Sequence, residues 1–343
     1  MTAEPAAGLA AVILAAGQGT RMKSDLIKVL HPLAGKQMIR HVIDAVREVG
    51  AERIVCVVGF QADRVRDALD AIDGLEFAVQ EAQLGTGHAL QCAAPALDGF
   101  TGDVLVCYGD TPLLTPATLG AVVAEHRFHG SPATLLTTMV DDPTGYGRVV
   151  TEAGTEVARI VEEIDADAST RALCVINTGV YCFTWPVITP LLESLPADNV
   201  QGERYLTDVM EILASLGTPG RIYPIEDPIE VMGINDRAQL ATAEGVLRDR
   251  IRVRLMREGV TFLAPQTTFI DADVAIGRDT VVYPGVLVEG ASSIGGESVI
   301  GPFSRIVDAH IGRGVELKGW NCIVRTTVPQ GSIVGPYVQQ GAE

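Results

Sequence analysis

The sequence is short of positive charge. Its 343 residues contain 26 Lys and Arg against 43 Asp and Glu, which gives a formal net charge of -17 at pH 7. A nucleic-acid surface needs clustered Lys and Arg to neutralise phosphates, so this balance argues against nucleic acid as a partner. An anionic ligand must therefore find a local positive site or bring a metal ion with it.

Cysteines and long apolar runs are also scarce. The six cysteines show no Cys-x-x-Cys pair and no metal-ligand spacing; they are Cys56, Cys92, Cys107, Cys174, Cys182 and Cys322. Several lie in strand-like runs such as Ile54–Val58. We therefore interpret the cysteines as small buried hydrophobic residues of a protein in a reducing compartment. The apolar run Ala10–Ala16 is far too short to span a bilayer, and no basic cluster precedes it. We therefore expect a cytoplasmic protein, neither secreted nor anchored to a membrane.

What the sequence does contain is an alternation of β-branched runs and amphipathic stretches from about Ala11 to about Asn235. This alternation is typical of a doubly wound α/β sheet. The candidate strands are Ala11–Ala15, Arg53–Val58, Glu76–Val79 and Val104–Tyr108. Helical spacing predicts helices over Lys36–Val49 and Thr115–His129, each followed by a glycine. Ligands of such sheets bind at the carboxyl ends of the strands, so the segments that follow strands are the candidate site.

A second pattern begins after Gly259, where aliphatic residues recur every six positions. They are Ile270, Ile276, Val282, Val288, Ile294, Ile300 and Ile306. This repeat predicts a parallel β-helix, in which each short strand points one aliphatic residue at the axis. The phase then shifts to Ile311, Leu317 and Ile323, as expected for an irregular turn or the end of the solenoid.

A long, charged stretch, Asp236–Glu258, joins the two patterns. It is helix-forming and carries arginines at positions 248, 250, 252, 254 and 257. We interpret it as a solvated linker helix.

The first strand leads directly into a glycine-rich turn, Gly17–Met22, whose backbone N–H groups can wrap phosphate oxygens. The turn is neither a Walker A loop nor a dinucleotide fingerprint, because Met22 stands where the third glycine would be. Taken alone, it could equally be structural. Arg21 and Lys28, two cations on one loop of an acidic protein, favour binding of a triphosphate and of the leaving pyrophosphate.

Longer segments carry a resemblance to a known family. They are residues 14–26, 28–31, 83–89, 108–113, 141–148 and 177–179. Together they resemble the bifunctional N-acetylglucosamine-1-phosphate uridylyltransferase/glucosamine-1-phosphate acetyltransferase family. The resemblance implies an α/β fold, with a Rossmann-like nucleotidyltransferase (pyrophosphorylase) domain over 1–235 and a linker helix over 236–259. A short left-handed parallel β-helix of hexapeptide repeats would follow over 260–343.

The resemblance also implies roles for individual residues. The catalytic set would be Arg21, Lys28 and Asp110, with Arg21 and Lys28 on the phosphates. The uridine would be held by the backbone of Leu14, Ala15, Ala16 and Gly17 and by Gln80, Gly85 and Thr86. The amino sugar would be held by Gly147, Glu162 and Asn177, and the substrate-binding set also includes Tyr108, Gly109 and Asn235. Asp110 and Asn235 would hold Mg²⁺.

The implied reaction is uridylyl transfer from UTP to N-acetyl-α-D-glucosamine 1-phosphate. It yields pyrophosphate and UDP-N-acetylglucosamine, a precursor of peptidoglycan and envelope polysaccharides. A sugar phosphate has a second pKa of about 6, so the nucleophile is ionised and no general base is required. Mg²⁺ prefers oxygen ligands and keeps waters, so one carboxylate, one amide oxygen and the phosphates suffice. Asp110 directly follows a candidate strand, as a metal ligand would, although an Asp there could equally cap a helix or turn.

Two features depart from the family pattern. Ile27 stands where the family usually has Pro before the lysine, so a φ constraint is lost and we expect altered affinity rather than lost chemistry. Beyond Gly259, His310 is the only histidine, and an ordinary repeat turn follows it. The family's acetyltransferase has a longer β-helix, with a catalytic His followed closely by Tyr and by a Gly-Asp pair. With four to five coils before Glu343, we expect no acetyl transfer and a β-helix that serves assembly, by resemblance as a homotrimer.

Three alternatives stay open: another sugar 1-phosphate or nucleotide, a bifunctional enzyme with an unrecognised acetyl-transfer site, and an inactive sugar-nucleotide sensor or scaffold. Residues 83–88 favour uridine and N-acetylglucosamine, and intact Arg21, Lys28, Asp110 and Asn235 weigh against the sensor. The segment Tyr205–Asp208 resembles a sugar-contacting segment but could equally begin a helix. The remaining histidines show no metal spacing and are interpreted as packing or surface residues; they are His31, His41, His88, His126 and His129.

Overall fold

The computed structural model describes residues 8–152 and 154–341, which fold into two compact units. Among these residues, the first unit comprises 8–31 and the described part of 38–237, and the second comprises 32–37 and 238–341. The short segment Pro32–Gln37 therefore belongs with the C-terminal part of the chain, although it lies early in the sequence.

Strands and helices alternate over the first three quarters of the chain. The strands are β1 (Leu9–Ala15), β2 (Pro32–Leu33), β3 (Lys36–Gln37), β4 (Arg53–Val58), β5 (Leu75–Val79), β6 (Asp103–Tyr108), β7 (Ala133–Met139), β8 (Arg148–Thr151), β9 (Val157–Val161), β10 (Val175–Thr184) and β11 (Arg221–Ile225). The α-helices are α1 (Met38–Glu48), α2 (Ala62–Leu69), α3 (Thr86–Ala93), α4 (Pro116–His129), α5 (Ala168–Arg171), α6 (Trp185–Leu192), α7 (Asp208–Ser215) and α8 (Arg237–Arg257). Short 3₁₀ helices lie at Thr20–Met22, Lys28–Leu30, Ala94–Leu97, Pro228–Val231 and Pro265–Thr267. Within the part of the chain that the structure describes, no helix is long and apolar enough to cross a membrane.

The first unit is built on one mixed sheet with the strand order β11-β7-β10-β6-β1-β4-β5. In addition, β8 pairs with β10, and β9 pairs with β8. The strands β6, β1, β4 and β5 run parallel, whereas β10 runs antiparallel to both β6 and β7. The α/β class and the four candidate strands are confirmed, with β1 beginning two residues earlier than expected.

The central strand β1 is buried on both faces, which explains its continuous apolar sequence. Ala10, Val12 and Leu14 pack into one hydrophobic cluster, with residues of α3, α6 and α7. The alternate residues, Ile13 and Ala15 among them, pack into a second cluster with residues of α1, α2 and α4. Because successive side chains of a strand point to opposite faces, this single strand supports helices on both sides of the sheet.

The helix expected over Lys36–Val49 begins at Met38, because Lys36 and Gln37 form β3, which pairs with β2. The expected start was therefore wrong by two residues. The helix α4 agrees more closely: the Thr115 hydroxyl oxygen accepts from Thr118 N at 3.2 Å as an N-cap, and Gly130 ends the helix at φ 57°.

The second unit contains a solenoid of short parallel strands. They are β12 (Thr261–Phe262), β13 (Phe269–Ile270), β14 (Ala275–Ile276), β15 (Val281–Val282), β16 (Leu287–Glu289), β17 (Ser293–Ile294), β18 (Val299–Ile300), β19 (Arg305–Val307), β20 (His310–Ile311), β21 (Glu316–Leu317), β22 (Cys322–Val324), β23 (Thr327–Val328), β24 (Ile333–Val334) and β25 (Gln339–Gln340). They stack into three sheets, in which every third strand pairs with the next above it. All seven residues of the six-residue repeat are buried along the axis. This is the short left-handed parallel β-helix of hexapeptide repeats that the sequence predicts.

The phase shift after Ile306 marks a shorter coil and not the end of the solenoid. Val288 pairs with Ile306, eighteen positions later, whereas Ile306 pairs with Ile323, seventeen positions later. One residue is lost at the corner between β19 and β20, and again at the equivalent corner between β22 and β23. Because the stacked strands stay in register, the aliphatic residues after the shift are still buried.

The helix α8 is not a solvated linker throughout, and that interpretation was wrong for two of its arginines. Arg252 is buried, donates to Thr268 O at 2.9 Å and pairs with Asp249. Arg248 lies 2.6 Å from Glu244 and 3.1 Å from Asp271. Both guanidinium groups satisfy carbonyl or carboxylate groups of the second unit, so this face of the helix packs as part of that unit.

The cysteines fall into two groups. Cys56, Cys107 and Cys182 are buried, and burial raises the pKa of the Cys56 and Cys107 thiols to about 12. These three behave as the small hydrophobic residues expected from the sequence. The other three are only half-buried, and all six are free thiols.

Replacing one axial residue of the solenoid should cost far more than replacing its neighbour. Ile300→Ala removes a fully buried side chain, and we expect a loss of about 2–5 kcal/mol in the free energy of unfolding of the second unit. Val299→Ala, which points outward from the same strand, should cost less than about 1 kcal/mol. Chemical denaturation of the full chain measures both, and equal losses would contradict an axial core.

Candidate active site

The glycine-rich turn after β1 allows a close approach between two parts of one loop. Gly19 has φ 63°, and a Cβ atom at this position would lie 2.5 Å from Lys28 Cβ. Any larger residue would therefore both strain the backbone and displace Lys28. The glycine at this turn therefore allows the Lys28 side chain to take its position, in addition to leaving the N–H groups of the turn exposed.

Ile27 takes up the role that a proline would have in the phosphate loop. Its φ is -58°, which lies within the range that a proline ring fixes, and its side chain is 2 % exposed. Burial of Ile27 in the cluster with Val29 and Ile39 restrains the loop in place of the missing ring. The structure thus offers no support for a loosened loop.

Four side chains from distant parts of the first unit converge next to this loop. Lys28 Nζ forms an ion pair with Asp110 Oδ2 and donates to Asn235 Oδ1 at 3.1 Å. Arg21 Nη2 donates to the same Asn235 oxygen at 2.8 Å. Ile234 N donates to Asp110 O at 2.9 Å, so the two loops that carry Asp110 and Asn235 are joined through their backbones as well.

The oxygens of Asp110 and Asn235 fit the requirements of a divalent cation. Both point at one cationic atom, Lys28 Nζ, so they are already arranged around positive charge. Asn235 Nδ2 donates to Gly233 O at 3.2 Å, which turns the amide oxygen towards the cations. One carboxylate and one amide oxygen, with phosphates and water, make a suitable set for a hard cation. Within residues 8–152 and 154–341, no group of three or more His, Cys, Asp or Glu side chains offers an alternative.

A cavity of about 270 Å³ opens at the carboxyl edge of the sheet, beside Lys28 and Asp110. Ten of the expected site residues line it: Leu14, Ala15, Ala16, Gly17, Lys28, Gln80, Gly85, Thr86, Tyr108 and Asp110. Gly85 adopts φ 101°, and a Cβ there would lie 2.5 Å from Arg204 O, so only glycine fits at the start of α3.

A second cavity, of about 380 Å³, adjoins the first, and Thr86, Tyr108 and Glu203 line both. The three residues expected to bind the amino sugar, Gly147, Glu162 and Asn177, line this second cavity. The sheet therefore carries one continuous cleft with two compartments.

Asn177 and Glu162 present complementary groups to the second cavity. Asn177 Oδ1 accepts from Gly179 N at 2.9 Å and from the Tyr181 hydroxyl at 3.0 Å, so the Nδ2 end is the one left to donate to a ligand. Burial raises the pKa of the Glu162 carboxyl, although a hydrogen bond from the Thr207 hydroxyl at 3.2 Å opposes that rise.

Behind Glu162 lies a third cavity, of about 600 Å³, that is strongly acidic. Its acidic lining residues are Glu162, Asp165, Asp167, Asp198, Asp208 and Glu211. Burial, followed by the charges of Glu211 and Glu162, raises the pKa of Asp208 to about 6. Asp208 is the first residue of α7, so the segment Tyr205–Asp208 does begin a helix, while Thr207 also contacts Glu162.

Three of the expected site residues lie off these cavities. Arg21 and Asn235 sit in the charged cluster beside the first cavity, and Gly109 packs against Ala15 and Val29. Sequence reasoning passed over Gln83 and Glu203, which line the first cavity. Gln83 Nε2 also donates to Ala16 O at 2.7 Å, and its place in the segment 83–89 was the available indication.

The fold and the cleft define a nucleotidyltransferase, and comparison with known proteins agrees. The family model described as the MobA-like NTP transferase domain matches residues 11–175. Among curated proteins, the bifunctional protein GlmU of Geotalea uraniireducens is 45% identical over 337 residues, which cover 98% of this chain and 74% of that protein. The GlmU of Geobacillus thermodenitrificans is 48% identical over 308 residues, 90% of this chain and 67% of that protein. The GlmU of Trichlorobacter lovleyi is 45% identical over 327 residues, which cover 95% of this chain and 71% of that protein.

The chain belongs to the GlmU family. It is accordingly a sugar-phosphate uridylyltransferase, as the motifs led us to expect, and enzymes of this type act with a divalent metal on a nucleotide and a sugar phosphate. The roles of the individual site residues stay predictions.

Asp208 should make stability depend on pH. Its folded-state pKa of about 6 lies above an unfolded value of about 3.9, so ionisation opposes folding and stability is lost as pH rises from about 4 to about 6. We expect Asp208→Asn to stabilise the protein at pH 8 by about 1 kcal/mol, a figure reduced because the group is half-exposed, and to have no such effect at pH 4. Denaturation at the two pH values measures this, with the exposed Asp98→Asn as control. A pH-independent effect of Asp208→Asn would contradict the assignment.

Proposed function

We propose that this enzyme transfers a uridylyl group from UTP to N-acetyl-α-D-glucosamine 1-phosphate with Mg²⁺, in the cytoplasm. The observation that carries the proposal is the convergence of Lys28, Asp110, Asn235 and Arg21 beside a two-compartment cleft. Six free thiols are compatible with a reducing compartment. The GlmU relatives support the same reaction for the precursors of cell-wall polysaccharides.

The first compartment suits a uridine triphosphate. The backbone of residues 14–17 and the side chain of Gln80 line this compartment and would surround the base and ribose, while Lys28, which also lines it, would bind the phosphates. Lys28 is only 14 % exposed, so its charge is poorly screened and acts strongly on a phosphate that binds there. Arg21, held by Asn235, supplies a second cation for the leaving pyrophosphate.

The second compartment suits an acetamido sugar. An acetamido group has one N–H donor and one carbonyl acceptor, and the pair formed by Glu162 and Asn177 offers an acceptor and a donor. A sugar with a free hydroxyl in place of the acetamido group carries its donor and its acceptor on a single oxygen atom, so it would match two separate partners less well, which costs binding in a buried site.

Catalysis then rests on positioning and charge. The sugar phosphate enters ionised, so its oxygen attacks the α-phosphate in line with the leaving pyrophosphate without a general base. Asp110 and Asn235 would hold the magnesium ion, which when bound neutralises charge on the phosphates. Lys28 and Arg21 bind phosphate oxygens and stabilise the charge that develops on the leaving group.

Pyrophosphate release with UTP, Mg²⁺ and a panel of sugar 1-phosphates tests the reaction. We expect N-acetylglucosamine 1-phosphate to be the preferred acceptor, and Asp110→Ala to lower kcat/KM by at least about a hundredfold, because an oxygen ligand and the partner of Lys28 are both lost. The exposed Asp98→Ala serves as the matched control and should keep wild-type activity.

Other outcomes would lead to different functions. Release with another sugar or nucleotide alone would keep the mechanism and change the substrate. No release with any combination would favour a sensor or scaffold, and full activity of Asp110→Ala would overturn the assigned metal site.

We further propose that the β-helix serves assembly, as a homotrimer, and not acetyl transfer. Its one histidine in residues 260–341, His310, lies on an outer strand face with Nδ1 2.5 Å from the Ser293 hydroxyl. No tyrosine follows it closely, as the acetyltransferase pattern would require.

Two measurements on this chain test the role of the β-helix. We expect a solution mass of three chains, each 36.3 kDa, and no acetyl-CoA-dependent release of thiol with glucosamine 1-phosphate. A monomer would contradict assembly through the β-helix, and thiol release would show a second active site.

A further inference from the structure

The Gln80 side chain is a buried polar group that lines the proposed nucleotide cavity. It is 4 % exposed, follows β5, and its backbone N donates to Val58 O at 2.8 Å. Its amide nitrogen lies 2.9 Å from Gly85 O and 3.1 Å from His88 Nδ1. A primary amide nitrogen has two hydrogens, so these two partners account for both of them.

These partners fix the orientation of the amide. Gly85 O can only accept, so the nitrogen end of Gln80 must face it. The oxygen end then faces the other way, and no hydrogen bond from residues 8–152 or 154–341 engages Oε1. Gln80 therefore presents an acceptor, and no donor, to the ligand in the cavity that it lines.

The arrangement also sets the state of the His88 ring. Its Nδ1 can accept from Gln80 only if the ring is neutral and carries its hydrogen on Nε2. That Nε2 lies 3.8 Å from Cys92 Sγ, a weak acceptor one turn further along α3. His88 is thus held between a donor on one side and a soft acceptor on the other, in contrast to its interpretation from sequence as a packing or surface residue.

We propose that His88 is a positioning residue for base selection: by accepting from Gln80 it locks the amide with its oxygen towards the base, so that the enzyme selects uracil over cytosine. Uracil carries a hydrogen on N3, whereas N3 of cytosine is an acceptor. A locked Oε1 accepts from uracil N3–H and meets only a lone pair on cytosine. The inference rests on the proposed binding of uridine in this cavity.

Selection by a single amide requires that the amide does not rotate by about 180°, which would exchange its oxygen and nitrogen. A reversed Gln80 would offer N–H to cytosine N3 and would place its oxygen against Gly85 O. Gly85 O alone opposes this reversal with one hydrogen bond, and His88 adds the second. Loss of one neutral hydrogen bond permits about three- to tenfold more of the alternative state.

The test compares the ratio of kcat/KM for UTP to kcat/KM for CTP. We expect His88→Leu to lower this ratio by about three- to tenfold, and His88→Asn, whose amide oxygen can replace Nδ1 as acceptor, to keep it within about twofold of the wild type. Gln91→Leu is the matched control on the same helix, because Gln91 contacts Arg204 and not Gln80. It should leave the ratio unchanged.

The ratio separates positioning from general damage. A purely structural role for His88 would lower activity with both nucleotides and leave the ratio unchanged, which would overturn the proposal. Loss of the ratio in His88→Asn as well would also overturn it. If His88→Leu does not fold, which its thermal unfolding curve would show, His88→Met provides the same test. If the enzyme uses neither UTP nor CTP, the proposed function itself is contradicted. If the His88 variants keep the wild-type preference for UTP, only this inference is contradicted.

Discussion

The contact of the Lys28 ammonium with Asp110 and Asn235 is the interaction on which the site depends. It joins a loop after the first strand to loops more than eighty and two hundred positions later in the sequence. In a chain of net charge -17, it concentrates two of the scarce cations, Lys28 and Arg21, at the edge of the sheet where phosphates can enter. A largely buried ion pair of this kind contributes little net stability, because desolvation offsets attraction, so its value lies in placing charge.

The surrounding fold can be understood as support for that cluster. Burial of β1 on both faces fixes where the glycine-rich turn begins, and Gly19 then lets the turn approach Lys28 closely. Parallel pairing of β1 with β6 brings the end of β6, and hence Asp110, to the same edge. Ile27 is anchored in the core under the loop, which explains how the loop keeps a proline-like backbone angle without a proline.

Local patterns in the sequence predicted the features that depend on local physics. The six-residue repeat predicted the solenoid, and the β-branched runs predicted the strands of the sheet, because positions that are buried at regular intervals require apolar residues at the same intervals. The burial of Arg252 could not be foreseen, since a charged residue in a charged helix looks solvated until its partner, Thr268 O, is known. The contact between His88 and Gln80 was hidden for the same reason: spacing says which residues share a helix face, and not what lies opposite that face.

Three side-chain amides of this cleft each have one polar atom held by hydrogen bonds within the protein, and these bonds decide which atom is left to face a ligand. Gly85 O and His88 hold the nitrogen of Gln80, so its oxygen is left for a ligand in the first cavity. Gly179 N and the Tyr181 hydroxyl hold the oxygen of Asn177, so its nitrogen is left for a ligand in the second cavity. Gly233 O holds the nitrogen of Asn235, so its oxygen faces the cations. An amide can donate or accept, and sequence alone does not say which end faces a ligand. In each case a backbone group makes the choice, because a carbonyl can only accept and an N–H can only donate. Selectivity therefore depends on the turns whose backbone groups orient these amides as much as on the side chains that contact the substrate.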